Sequence, residues 1–188
     1  MGARLQHFLP NWQAITDDPW ILNTVRGYSL ELISAPNQHH PPTPITFDQE
    51  KSAALTSEIR KLLQKQAISQ VKNSPDDFLS PVFLVTKADG SWRPVINLRD
   101  LNSHIAHHHF EMEGIKTVKG LMKKGDWLAK LDLKDAYLSV PMSPVHTHLL
   151  RFQWQNQTYQ FNTLPFGLSS APYVFINSSN QRWRFSGG

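Results

Sequence analysis

Along residues 127–133 the chain alternates with a period of two. Trp127, Ala129, Leu131 and Leu133 fall on one side, and Leu128, Lys130 and Asp132 on the other. That is the pattern of a half-buried strand. A carboxylate on such a strand is costly to bury unpaired, so Asp132 is expected to face a groove, a cation or a metal. Asp135 and Tyr137 follow where the strand gives way to a short helical turn.

The same periodicity predicts two hairpins. Residues 81–87 read as a strand, Ala88-Asp89-Gly90-Ser91 as a turn, and Trp92-Arg93-Pro94-Val95-Ile96-Asn97-Leu98 as the returning strand. Pro94 cannot donate to a central ladder, so part of that strand belongs at an edge. Residues 149–154 and 158–161 read as the second hairpin, across Gln155-Asn156-Gln157.

Helical spacing appears in four places. Thr16-Asp17-Asp18-Pro19 starts a helix whose apolar stripe is Trp20, Ile21 and Val25 and which Gly27 ends; residues 28–33 then alternate weakly, as a strand. Thr46-Phe47-Asp48-Gln49 has the form of a capping box, opening a helix with Leu55, Ile59, Leu62 and Leu63 on one face. Ile115, Val118, Leu121 and Met122 mark a third, and Gly125-Asp126 turns the chain into the strand at 127. Ser169 and Ser170 precede a fourth, with Pro172 in its first turn. Between the first two helices, residues 34–44 with Pro36, Pro41, Pro42 and Pro44 form an extended linker. This divides the chain into an N-terminal segment with linker, 1–45, and a main unit, 46–188.

Composition narrows the classes. At 188 residues, 40% hydrophobic and 18% charged, the chain has room for one domain with a real core. It has no cysteine, which excludes disulfides and thiolate zinc sites and fits a reducing compartment, cytoplasm or nucleus. No run is apolar for long enough to cross a bilayer, and no signal-peptide core is present. A net charge of +4 favours an anionic partner such as nucleic acid, though a surplus this small is common elsewhere. His104 with His107-His108-His109 could share a zinc if helical, or could be an exposed loop. His146 and His148 read as surface residues, and Trp92, Trp127, Trp154 and Tyr159 as core or hairpin packing.

Three blocks in order carry a resemblance: Trp92-Arg93-Pro94-Val95-Ile96-Asn97-Leu98 with Leu101-Asn102; Leu131-Asp132-Leu133-Lys134-Asp135-Ala136-Tyr137, running on to Met142; and Leu164-Pro165-Phe166-Gly167-Leu168-Ser169-Ser170-Ala171-Pro172. Together they resemble the fingers and early palm of a retroelement reverse transcriptase, over residues 46–176. Met112-Glu113-Gly114-Ile115 and the upstream residues 5–27 are most similar to DIRS-like retrotransposons, the tyrosine-recombinase class. The resemblance implies an α+β fold, the fingers and an incomplete palm of a right-hand polymerase.

It also implies roles. Asp132 resembles the first metal-binding aspartate, and Leu133 the neighbour whose carbonyl helps hold Mg²⁺. Asp135 and Ala136 match the positions whose backbone meets the incoming deoxynucleotide triphosphate, and Tyr137 the aromatic that crowds out a 2′-hydroxyl. Lys87 and Arg93 resemble fingertip cations on the triphosphate; Phe166 stands where some retroviral enzymes have glutamine, and it cannot hydrogen-bond to the nucleotide. The implied partners are an RNA or DNA primer–template and a deoxynucleotide triphosphate.

The physics of two-metal phosphoryl transfer sets a limit, because it needs several carboxylates around ions about 3.5–4 Å apart. The family takes the others from a downstream Tyr-x-Asp-Asp hairpin, and here no Asp or Glu follows Asp135. After Ile176 the divergent tail, 176–188, departs from the pattern, which suggests a frame truncated, shifted or spliced at that point. The expectation is a polymerase fragment inactive by itself. The alternatives are a non-catalytic nucleic-acid-binding remnant and an unstable product.

Overall fold

Both hairpins form in the computed structural model, which describes residues 2–180 except 39, 44, 76, 87–89, 91, 111–118, 121 and 128–132. The first pairs β2 (Val82–Thr86) with β3 (Trp92–Ile96), antiparallel, from Val82 opposite Ile96 to Thr86 opposite Trp92. Pro94 sits opposite Leu84 in this two-stranded sheet, so its missing N–H is placed where β3 has an open side. The second pairs β4 (Arg151–Trp154) with β5 (Gln157–Phe161). Only Gln155 and Asn156 link them, with φ of 49° and 61°; two left-handed residues suit the twist of a two-residue hairpin loop. Residues 147–149 are a 3₁₀ turn rather than strand, so β4 starts later than the alternation implied.

A strand the alternation did not predict, β1 (Ile68–Val71), lines the other side of β5 and gives a three-stranded order β1-β5-β4. It follows α4 (Gln49–Gln64), numbered after α1 (Arg4–His7), α2 (Leu9–Ile15) and α3 (Pro19–Gly27). The exit from α4 is a tight C-terminal motif: Ala67 N–H donates to Leu62 O at 3.0 Å and Gln66 N–H to Leu63 O at 2.8 Å. Gln66, at φ 58°, stands where glycine is usual. The start of α4 corrects the capping-box expectation. Its N-cap is Asp48, not Thr46, because Asp48 Oδ1 reaches Lys51 N–H at 2.8 Å. That hydrogen bond holds the Asp48 carboxyl below its usual pKa.

Two further short helices are α5 (Arg99–Asn102), and α6 (Ala171–Asn180) with Pro172 in its first turn. The main core gathers Leu55 and Ile59 of α4, Leu101 of α5, Phe152 and Phe161 of the sheet, and Leu164 and Val174. Phe152 stacks on Tyr159 with centroids 5.4 Å apart. Trp154 is half-buried against Thr56, to which its indole N–H donates at 3.0 Å; Trp92 lies under Lys51, 5.4 Å from ring centroid to Nζ. Trp127 overturns the packing expectation: it is 99% exposed, just past the Gly125 turn. The strand expected over 127–133 and the helix marked by Ile115, Val118 and Leu121 fall on or among residues outside those described.

The N-terminal residues join the same body. A smaller cluster of Trp12, Ile21 and Val25 packs α2 against α3, and α3 starts within the expected 16–19 stretch, capped by Asp18, which accepts from Trp20 N–H at 2.8 Å. Tyr28 and Leu30 enter the main core. Residues 28–33 make only isolated bridges, Tyr28 with Met142 and Leu32 with Ile105, instead of a strand. Within residues 34–44 Gln38 is pinned, its amide exchanging two hydrogen bonds with the Leu79 backbone at 2.8 and 2.9 Å. Burial pushes the Tyr28 hydroxyl up to about 12. Among the described residues no helix is long and apolar enough to cross a membrane.

His146 is not the surface residue its neighbours suggested. It is half-buried, and its Nδ1 accepts from Leu30 N–H at 3.1 Å, tying the N-terminal residues to the turn at 143–149. That bond requires an unprotonated Nδ1. Burial, with the nearby His148 charge acting the same way, lowers the pKa of His146 below its ordinary 6.5. The unfolded chain then binds the proton more readily than the folded one, so stability is full above the unfolded value and declines as pH falls toward the folded one. Thermal midpoints measured from pH 8 to pH 5 are expected to drop below about 6.5 in the wild type, and less steeply in His146→Gln. Parallel curves for the two proteins would remove His146 as the cause.

Candidate active site

The turn at 133–139 is held by what lies on either side of it. Leu138 and Val140 are buried, and Val140 O accepts from Leu164 N–H at 3.0 Å. Between the exposed Leu133 and these anchors the chain turns through Lys134, Asp135 and Ala136, then makes a 3₁₀ turn over Tyr137–Ser139. Asp135 adopts φ 56°, a left-handed conformation that aspartate tolerates better than most residues. Ser139 Oγ donates to Ala136 O at 2.5 Å and closes the turn locally.

The three sequence blocks meet here. The Tyr137 ring lies 5.0 Å from that of Phe166 and 5.6 Å from that of Phe175. Phe166 is 49% exposed, so the pair forms an open aromatic ledge. Gly167 follows with φ 99°, a conformation that only glycine adopts readily. Asn102 clamps this turn from α5: its Nδ2 donates to Gly167 O at 2.9 Å, and its Oδ1 accepts from Ser169 N–H at 2.9 Å. The sequence places Asn102 in a motif without assigning it a role. The side chain supplies both halves of a backbone-like pairing.

Arg93 is exposed on β3 opposite Val85, at the turn end of the fingers hairpin. Lys87 and Asp132 lie outside the described residues. Asp135 is not free to serve as a ligand, because its Oδ2 is 2.8 Å from Lys65 Nζ. Lys65, at the end of α4, carried no sequence signal. Among the described residues no group of three or more His, Cys, Asp or Glu side chains could hold a metal ion. Around this turn the described oxygen donors are the Leu133 carbonyl and the Asp135 carboxylate, which is paired with Lys65. Near α5, residues 106–110 are not helical, so the histidines there lack helical ligand spacing. His108 instead stacks on Tyr173 at 4.3 Å, with Nε2 2.9 Å from a Glu31 carboxylate oxygen.

The family model described as "Reverse transcriptase (RNA-dependent DNA polymerase)" matches residues 85–183, more than half of the chain. This chain belongs to the reverse transcriptase family. Similar curated proteins include the Pol polyproteins of equine infectious anemia virus, isolates 1369 and CL22. Each is 28% identical over 142 residues, covering 72% of this chain and 12% of the polyprotein. This reverse transcriptase chain therefore spans about an eighth of the length of those relatives. Among solved structures it is similar to the prototype foamy virus protease-reverse transcriptase, with TM-score 0.69 and 21% identity, over 85% of this chain and 21% of that one. The likeness establishes the fold: mixed helix and sheet, a partial reverse transcriptase architecture.

Proposed function

We propose that these residues are the fingers and early palm of a retroelement RNA-directed DNA polymerase, which adds a deoxynucleotide to a primer 3′-hydroxyl with release of pyrophosphate. One observation carries the reading. Asn102, Tyr137 and Phe166 come from three separate blocks, and their contacts assemble one aromatic ledge beside one backbone turn. On this reading Asp135 and Ala136 present backbone to the triphosphate, Tyr137 crowds the 2′ position, and Phe166 supports the Tyr137 ring. Arg93, with Lys87, offers fingertip charge to phosphate: Arg as a planar fork, Lys as a point charge. Asp132 and Leu133 would hold one side of a Mg²⁺ site, and the ion would neutralise charge on the reacting phosphates. The narrower placing among DIRS-like retrotransposons rests on residues 112–115 and 5–27.

The 188 residues by themselves are inactive on this reading, because no carboxylate follows Asp135. What they retain is the capacity to bind an anionic polymer, favoured by the net charge of +4 and the exposed Arg93. Two measurements test this. Primer extension on an RNA template with Mg²⁺ is expected to be absent in wild type and Asp132→Asn alike. Robust extension lost only in Asp132→Asn would overturn the inactivity. A labelled primer–template is expected to bind at low salt, and Arg93→Ala to reduce the slope of log affinity against log salt by about 0.9. No binding at low salt would sink the nucleic-acid reading.

A further inference from the structure

We infer that Lys65 and residues 2–4 form a brace that fixes the turn at 134–138 from behind, making Lys65 a positioning residue for the nucleotide; this rests on the function proposed above. Four contacts made by two parts of the chain, Lys65 and residues 2–4, bear on that turn and on the α4 exit beneath it. Lys65 Nζ donates to Asp135 Oδ2 at 2.8 Å. Arg4 Nη2 donates to Lys134 O at 3.3 Å, and Ala3 N–H to Leu138 O at 2.8 Å. Gly2 N–H donates to the carbonyl of Lys65 itself. The first three grip successive points of the turn, and the fourth ties the N-terminal strap to the residue that supplies the cation.

The fit leaves little slack. Gly2 is buried, and a Cβ there would meet Thr163 Cγ2 at 3.0 Å and Ala67 Cα at 3.1 Å, so a larger residue would have to push these neighbours aside by a few tenths of an ångström. Lys65 is held in turn by the C-terminal motif of α4, whose last carbonyls are tied to Gln66 and Ala67. The left-handed Asp135 is what the brace secures. An isolated aspartate at φ 56° exchanges readily with ordinary conformations, and each such change would swing the backbone of Asp135 and Ala136. Pairing with Lys65 draws the Asp135 side chain toward α4 and selects the one backbone state compatible with that contact. A half-exposed ion pair adds little to global stability. Its effect is local, on which conformation the turn holds.

The test uses the full 188-residue chain as wild type, Lys65→Met and Lys65→Arg. Three quantities are read: amide exchange at residues 134–138, affinity for a fluorescent deoxynucleotide triphosphate, and the thermal midpoint. Lys65→Met is expected to speed exchange about fivefold at 134–138 and to weaken the nucleotide by a similar factor, with little change in midpoint. Lys65→Arg should recover both. Unchanged exchange in Lys65→Met would overturn the brace. So would a loss spread over the whole chain that Lys65→Arg fails to recover, since that marks a merely structural lysine. A wild type that binds no nucleotide would count against the proposed function instead, and the brace would then be decided by exchange alone.

Discussion

Asp77→Ala is expected to lower the unfolding free energy by about 3–5 kcal/mol, the largest loss anticipated from any single substitution considered. Asp77 and Arg151 form a buried ion pair, with side chains only 5% and 13% exposed. Arg151 also donates from Nε and Nη2 to Gln160 Oε1, at 2.9 and 2.7 Å, and from Nη1 to Lys72 O at 3.4 Å. The other Asp77 oxygen accepts from Ser74 N–H at 2.9 Å, shaping the loop that ends at Leu79. Removing the carboxylate leaves a guanidinium enclosed by protein with neutral acceptors alone, and it frees that loop from β4. The converse does not follow: a well-packed apolar replacement of both residues would cost far less, because the pair's desolvation offsets most of its attraction. Urea unfolding of Asp77→Ala and of Asp77→Asn would measure this. A change under 1 kcal/mol in Asp77→Ala would show that water reaches Arg151.

Gly167→Val should cost about 2–5 kcal/mol, combining a left-handed backbone with a backbone clash. At φ 99° a branched side chain is strained even in open space, and here a Cβ would meet Ile96 O at 3.1 Å. Ile96 ends β3, so relief can come only by pushing the fingers hairpin away from the turn that carries Phe166. The two hydrogen bonds of Asn102 depend on that spacing. The variant should therefore lose stability and nucleotide affinity together, whereas Asn102→Ala, which leaves the glycine in place, should lose less stability. Calorimetry on the two proteins checks the order. A fully stable Gly167→Val would mean the turn has another conformation open to it.

The elements readable from the sequence are those whose cause is local. The fingers hairpin announced itself through Asp89-Gly90 between alternating strands, and α3 through Asp18-Pro19. β1 was not legible, since four residues, Ile-Ser-Gln-Val, become a strand only because β5 lies alongside, with Val71 opposite Thr158. Two capping groups compete within Thr46-Phe47-Asp48, and the charged one two residues later prevailed. At the site the motif residues were legible and their supports were not. Lys65 is 70 positions from Asp135, and Asn102 is 65 from Gly167. No spacing rule reaches that far along a chain. Trp127 misled because a large apolar residue in an alternating run reads as core, whatever the tertiary structure does with it.

The anchoring of the N-terminal residues bears on how the protein is made. Arg4 meets Lys134 across 130 positions, and Leu30 meets His146 across 116. At translation rates of about 5–20 residues per second, Arg4 and Leu30 emerge roughly 6–25 seconds before these partners exist. During that interval α3 can close only its small cluster with Trp12, while Tyr28 and Leu30 have no core to enter. Residues 4–30 are thus secured well after they are synthesised, and the nascent chain carries their apolar side chains uncovered until the turn at 134–138 leaves the ribosome.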